Sequence, residues 1–158
     1  PASPFNALRL LRQGHLVMVF PEGIKGAGKP YRDRYRLARF GRGGFVEIAL
    51  RAGAPIVPCA VVGSEEIYPK LGEAPLLARL VGAPYIPITP TFPWLGPLGA
   101  IPLPSRWRIE FGEPIDLSSY GPEAVADRGL VLEVTDAVRE QIQAMVYEGL
   151  VRREGAFL

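Results

Sequence analysis

The spacing of apolar positions changes along the chain, and each spacing predicts a different element. His15 to Phe20 is a β-branched and apolar run without alternation, the pattern of a strand covered on both faces. Pro21 ends it, because proline has no N–H to give to a sheet. Before it, Asn6 to Arg12 reads as the end of a helix, with Leu8 and Leu11 apolar and Gly14 as its stop. After it, Phe45, Ile48, Ala49 and Ala52 share one face of a helix over Gly44 to Ala52. Glu47 and Arg51 pair at four-residue spacing on that helix, and Gly53 caps it. Pro55 to Val62 is a second core strand, Pro58 hints at a bulge or an edge, and Ser64 is an N-cap for a helical turn. Arg106 to Phe111 alternates, with Trp107, Ile109 and Phe111 on one side and Arg106, Arg108 and Glu110 on the other, so it predicts a half-exposed strand. Asp116 or Ser118 can cap the segment after that strand. From Leu130 to Leu150, Val131, Val134, Val138, Ile142, Met145 and Val146 recur at three- and four-residue steps and predict a C-terminal amphipathic helix. Strand, loop, helix, strand in that order is a βαβ unit, which implies a right-handed crossover and a parallel pair. The fold class is therefore α/β, a βαβ core with a mixed sheet flanked by helices.

Charge changes the picture at one place. Seven of the 18 Lys and Arg residues (Lys25, Lys29, Arg32, Arg34, Arg36, Arg39, Arg42) fall between positions 25 and 42, with one of the 16 acids, Asp33. The whole chain is only +2, so cationic character is local and begins just past a predicted strand end. α/β proteins commonly bind anionic ligands there. At 158 residues, 48% hydrophobic and 22% charged, the chain can bury a core and is not disordered. One cysteine, Cys59, excludes an internal disulfide and fits a reducing compartment. The opening Pro-Ala-Ser-Pro-Phe carries neither a starting Met nor a signal-peptide pattern, and is expected to lie partway through a gene product.

Leu80 to Ser105 has no charged residue over 26 positions, long enough to span a bilayer as a helix. Seven prolines (84, 87, 90, 93, 97, 102 and 104) exclude that helix. The first four fall at every third residue and predict an extended, polyproline-like path. Its Tyr85, Phe92, Trp94, Leu95, Leu98 and Ile101 either pack over the domain's own core, or dip into a membrane interface or line a fatty-chain groove.

Several chemistries are poorly supplied. Gly23 to Lys29 resembles the glycine–lysine part of a nucleotide-binding loop, but Pro30 stands where a magnesium-holding Ser or Thr is needed. Nucleic-acid binding asks for charge spread over a face with interleaved aromatics, and none is expected here. The single histidine, His15, opens a predicted core strand, and Cys59 has no second histidine to activate it. No metal site and no cofactor are expected.

Three blocks in order, Phe20-Pro21-Glu22-Gly23, then Arg39-Phe40-Gly41-Arg42-Gly43-Gly44-Phe45, then Ala54-Pro55-Ile56-Val57-Pro58-Cys59-Ala60, resemble the phospholipid/glycerol acyltransferase family, which includes lysophosphatidate and glycerol-phosphate acyltransferases. The resemblance is firm over about residues 5 to 68 and implies a single, partial acyltransferase domain over residues 1–158. In that family a His-x-x-x-x-Asp pair upstream of Phe-Pro-Glu-Gly takes the proton of the acceptor hydroxyl. The oxygen then attacks the thioester of acyl-CoA or an acyl carrier protein, since a hydroxyl is a poor nucleophile until a base removes its proton. Five residues on from His15 stands Phe20, not Asp, so no catalytic residue is expected within this chain, which is expected to be inactive alone. The resemblance makes Phe20, Pro21, Glu22, Gly23, Lys25, Arg42, Gly43 and Pro58 the substrate-binding candidates. Glu22 and Gly23 would shape the acceptor site, Lys25 and Arg42 would meet the acceptor phosphate, and Pro58 would lie near the acyl pocket. Ile24-Lys25-Gly26 replaces the family's Thr-Arg-Ser, and lysine lacks arginine's bidentate fork. The implied partners are the acyl thioester, a lysophospholipid or glycerol-phosphate acceptor, and a membrane surface met peripherally from the cytoplasmic side. The alternative is a lipid- or anion-binding module descended from such an enzyme that has lost the chemistry.

Overall fold

The computed structural model describes residues 3–82 and 86–157; Pro84 and Tyr85 of the proline-rich stretch lie outside the described residues. Helix α1 (Pro4–Arg12) starts earlier than its apolar spacing suggests, because Ser3 accepts the N–H of Asn6 at 3.2 Å and Pro4 presets the first turn. α1 packs on α3 (Gly44–Ala52), which runs as its periodicity predicts and ends on Gly53 in the left-handed conformation. A five-residue helix, α2 (Gly23–Ala27), lies between them in the chain.

His15 to Phe20 is not a strand. Leu16, Met18, Val19 and Phe20 are exposed, and the backbone pairs with no strand among the described residues. A strand buried on both faces needs a layer on each side, and among the described residues neither layer covers this segment, so most of its apolar side chains stay exposed. The expected parallel pair is therefore absent among the described residues. Instead β1 (Cys59–Val62) pairs antiparallel with β4 (Arg108–Phe111), Cys59 opposite Phe111 and Val62 opposite Arg108. The second strand is shorter than predicted, Ile56 contributing only an isolated bridge to Ile115. A second antiparallel pair, β2 (Gly72–Glu73) with β3 (Pro87–Ile88), flanks α4 (Pro75–Val81). The architecture is mixed α/β with two small antiparallel sheets, rather than a βαβ core with a mixed sheet.

The long helix α5 (Arg128–Val151) is capped by Asp127, whose side chain accepts the N–H of Leu130 at 3.1 Å. Two buried clusters form against it. Val46, Ala49 and Leu50 of α3 meet Leu117 and Val131, while Ala60 and Val62 of β1 meet Val146. A large apolar side chain buried in this way contributes roughly 1.5–3 kcal/mol of transfer free energy. Gly149 lets α5 cross β1 closely, since a Cβ there would sit 3.0 Å from Val62 Cγ2.

β4 forms with its apolar side outward. Arg108 and Glu110 share the α5 face with Val62 and Ala60, whereas Trp107, Ile109 and Phe111 are exposed. The charged side turns inward because it has partners there: Glu110 takes Arg108 at 2.6 Å and Arg152 at 3.6 Å. The proline-rich stretch is not one extended path either. Thr89 and Phe92 close a turn, the Thr89 hydroxyl accepting the Phe92 N–H at 2.9 Å, and Gly96–Ala100 is a 3₁₀ helix. Side-chain oxygens of Thr89 and Thr91 satisfy local polar groups that a polyproline path leaves to solvent.

Candidate functional site

Four consecutive residues in the middle of the cationic loop are held almost wholly by side chains from elsewhere. The Tyr35 N–H donates to Glu65 and its carbonyl accepts from Gln143 Nε2 at 2.7 Å. The Arg36 carbonyl accepts from Lys29 Nζ at 2.6 Å. The Leu37 N–H donates to Gln143 Oε1 at 2.8 Å, and the Leu37 and Ala38 carbonyls accept from Arg139 Nη2 and Nε at 3.0 and 3.1 Å. The Ala38 N–H donates to Glu22. Backbone polar groups in a part-buried loop must find partners, and here charged and amide side chains replace the missing strand neighbour. Tyr35 has φ +65°, a left-handed conformation a tyrosine adopts only when its surroundings impose it.

The cations of the loop therefore divide into two sets. Lys29 is inside the scaffold, 2.8 Å from Glu65 and 3.5 Å from Glu22. Arg34 stacks on the rings of Tyr31 and Tyr35, 4.3 and 5.3 Å from their centres, and Arg32 lies 3.7 Å from Asp33. Lys25, Arg36, Arg39 and Arg42 are exposed, and among the described residues their side chains make no hydrogen bond or ion pair. These four are the charges that can take an outside anion.

The sequence-predicted site residues scatter over these roles. Phe20 is exposed and Pro21 half-buried at the loop's entrance. Glu22 acts as a clasp, joining Ala38 and Lys29 across the loop. Gly23 opens α2, which carries Lys25. Arg42 keeps its side chain exposed while its carbonyl accepts from Arg128 Nη2 at 3.2 Å. Gly43 is buried where α3 begins, with φ +80°, and a Cβ there would stand 2.6 Å from both Val131 Cγ1 and Thr135 Oγ1. Pro58 is fully buried just before β1, its carbonyl accepting the Gly112 N–H at 2.8 Å. No hydrogen bond or ion pair among the described residues joins Lys25, Arg42 and Pro58 to one another.

Sequence reasoning passed over Arg139 and Gln143 and gave Glu65 no part in holding the loop, and it counted Arg36 and Arg39 among the seven cations without singling them out. One signal was available: Thr135, Arg139 and Gln143 recur at four-residue steps and draw a polar stripe beside the apolar face of α5. Of the remaining candidates, His15 is exposed. Cys59 is half-buried, and burial pushes its thiol up from the ordinary value, which disfavours the thiolate nucleophile.

Two hollows bear on ligand size. A cavity of about 30 Å³ lies under the loop among Lys29, Tyr35, Leu37, Val61 and Glu65, room on the scale of one water and not of a lipid headgroup. A surface depression of about 280 Å³ is lined by Arg106, Trp107, Arg108, Arg152 and Arg153. Its arginines are each matched by a carboxylate: Glu154, Glu110, Glu148 and Glu66. The exposed cations of the loop, by contrast, have no carboxylate partner among the described residues.

Comparison with known proteins bears on the same part of the chain. Residues 4–62 match the family model described as Acyltransferase, the stretch that contains the clasp residue Glu22, the four exposed cations and the start of the sheet. The uncharacterized protein Rv0502 of Mycobacterium tuberculosis is 58% identical over 152 residues, 96% of this chain and 42% of that protein. Phytyl ester synthase 2, chloroplastic, of Arabidopsis thaliana is 39% identical over 67 residues, 42% of this chain and 10% of that protein. The DGAT1/2-independent enzyme synthesizing storage lipids of Gallus gallus is 27% identical over 137 residues, 86% of this chain and 36% of the enzyme. The chain spans less than half the length of these relatives. No solved structure matches it. The stretch that builds the cationic loop and its clasp is thus the stretch that matches the acyltransferase family model.

Proposed function

We propose that the chain is the acceptor-binding part of a lipid O-acyltransferase, which moves an acyl group from a thioester of CoA or a carrier protein to a hydroxyl of a lysophospholipid or glycerol phosphate. The observation that carries this reading is the set of exposed cations, Lys25, Arg36, Arg39 and Arg42, within the family segment. A phosphate monoester binds such groups through charge-assisted hydrogen bonds worth about 1.5–3 kcal/mol each. Titration with glycerol 3-phosphate tests it, with glycerol as the uncharged control. Binding of the phosphate and not of glycerol is expected, and Lys25→Ala with Arg42→Ala is expected to weaken it at least about a hundredfold. Equal binding by the double variant would overturn the assignment of those two residues.

The second reading is a lipid- or anion-binding module without chemistry, in which the chain would keep the same exposed cations. Its one histidine is followed five residues on by Phe20, so a His-x-x-x-x-Asp base pair is not formed from residues 1–158. A thioester-release assay with this chain and glycerol 3-phosphate is accordingly expected to stay at background. Turnover there would locate a base this reading does not contain.

The membrane enters through a different surface. Leu76, Leu77 and Leu80 of α4 and Trp94, Leu95, Leu98 and Ile101 after it are exposed, in and beside a stretch without charge from Leu80 to Ser105. Large exposed apolar side chains including tryptophan suit the headgroup boundary of a bilayer. Among the described residues no helix is long and apolar enough to cross one. Peripheral docking at the cytoplasmic face is the reading, and Trp94→Ala with Leu98→Ala is expected to lower partition onto phospholipid vesicles at least about tenfold, since two large side chains lose burial worth roughly 1.5–3 kcal/mol each. Unchanged co-flotation with vesicles would remove this surface from the docking face.

A further inference from the structure

α5 and the cationic loop run side by side in opposite directions. Arg128 Nη2 donates to the Arg42 carbonyl, and Thr135 with Val131 abuts Gly43. One turn on, Arg139 takes the carbonyls of Ala38 and Leu37, and one turn further Gln143 takes the Leu37 N–H and the Tyr35 carbonyl. Residues 135, 139 and 143 sit one above another on the helix surface, spanning about 12 Å at 1.5 Å per residue. The loop from Tyr35 to Gly43 is thus laid along a polar stripe of α5.

The contacts are selective. They take main-chain groups of Tyr35, Leu37, Ala38 and Arg42, and leave the side chains of Arg36, Arg39 and Arg42 exposed. Arg36 is itself held through its carbonyl by Lys29 Nζ. Three cations are therefore mounted on a fixed backbone, while their guanidinium groups face outward. Fixing a loop before its ligand arrives removes part of the ordering cost from binding.

We infer that Arg139 and Gln143 are positioning residues: together with Thr135 they form a track that sets the spacing of Arg36, Arg39 and Arg42 for a phosphate-bearing acceptor. This rests on the reading of the loop as a phosphate site and adds the element that makes its affinity depend on the far end of the chain. Neither residue touches the phosphate; each acts through loop backbone. The chemistry suits the task, because Gln143 offers a carbonyl and an amide to one peptide neighbourhood as a paired strand does. Arg139 caps two adjacent carbonyls with one planar group.

The test uses the 158-residue chain with glycerol 3-phosphate as probe, and follows affinity, thermal midpoint and hydrogen exchange of the Leu37 amide together. Gln143→Met removes both hydrogen bonds with little loss of volume, and Arg139→Met removes both carbonyl contacts. Each is expected to speed exchange at Leu37 and to weaken phosphate binding by about tenfold, the size of effect expected when binding has to order a few side chains and their backbone. Exchange within α5 should not change. Arg139→Lys keeps a donor and is expected to recover most of the affinity. If Arg139→Met does not fold, Gln143→Met and Arg139→Lys still decide the matter. Faster Leu37 exchange with unchanged affinity would overturn the inference and leave the phosphate site standing. Failure of the unmodified chain to bind glycerol 3-phosphate, with glycerol as control, would overturn both.

Discussion

Arg153→Ala is expected to cost about 3–5 kcal/mol of unfolding free energy, read from urea denaturation, because it strands a buried carboxylate. Glu66 is 0% exposed and the Arg153 side chain 7%. The guanidinium meets both carboxylate oxygens, at 2.7 and 2.6 Å, and the Tyr35 hydroxyl donates to the same carboxylate. Glu66 lies in the 3₁₀ turn Ser64–Glu66 directly after β1, and Arg153 lies just past the end of α5, so the pair joins sheet, helix and cationic loop at one point. The net worth of such a pair is small, since both charges were desolvated to form it, but the cost of breaking it is large. Glu66→Gln combined with Arg153→Met, which leaves no charge behind, is therefore expected to be milder than Arg153→Ala alone. A loss below about 1 kcal/mol in Arg153→Ala would mean that Glu66 finds water, and would refute its burial.

Gly43→Ala is the second large effect, expected at about 2–5 kcal/mol. A left-handed backbone costs a residue with a Cβ roughly 1–2 kcal/mol, and overpacking adds about 1–3 kcal/mol. Both apply: φ is +80°, and the added methyl would meet Thr135 Oγ1 and Val131 Cγ1 at 2.6 Å and the Val131 carbonyl at 3.3 Å. Gly41 supplies an internal control. It has φ +59° with open space around its Cβ position, so Gly41→Ala should show the conformational part alone. Equal losses in the two variants would show that α3 and α5 do not approach this closely.

Elements that pack against neighbours within reach of their own periodicity were legible. Phe45 to Ala52 gave α3 and its Gly53 stop because the buried face and the cap are both local signals. The three blocks that resemble the acyltransferases all lie in the segment that the family model matches, since they are chemistry written in short, ordered motifs. What failed was what depends on distant partners. The run His15 to Phe20 has strand composition, but composition cannot supply the layers that would bury it. The alternation of Arg106 to Phe111 gave a strand, and its orientation was decided by Arg152 and Glu110 rather than by apolarity. In the loop, seven cations look alike in the sequence. Only Glu22, Glu65 and the two tyrosines separate the structural Lys29 and Arg34 from the exposed set, and Glu65 reaches them from beyond the end of β1.

The clasp between loop and final helix also sets an order of events during synthesis. Leu37 is joined to Gln143 across 106 positions, Ala38 to Arg139 across 101, and Glu66 to Arg153 across 87. A nascent chain leaves the ribosome with its cationic segment complete and nothing from α5 to hold it until that helix emerges. The exposed cationic face is thereby among the last parts of this chain to mature, although its residues are made well before the helix that fixes them.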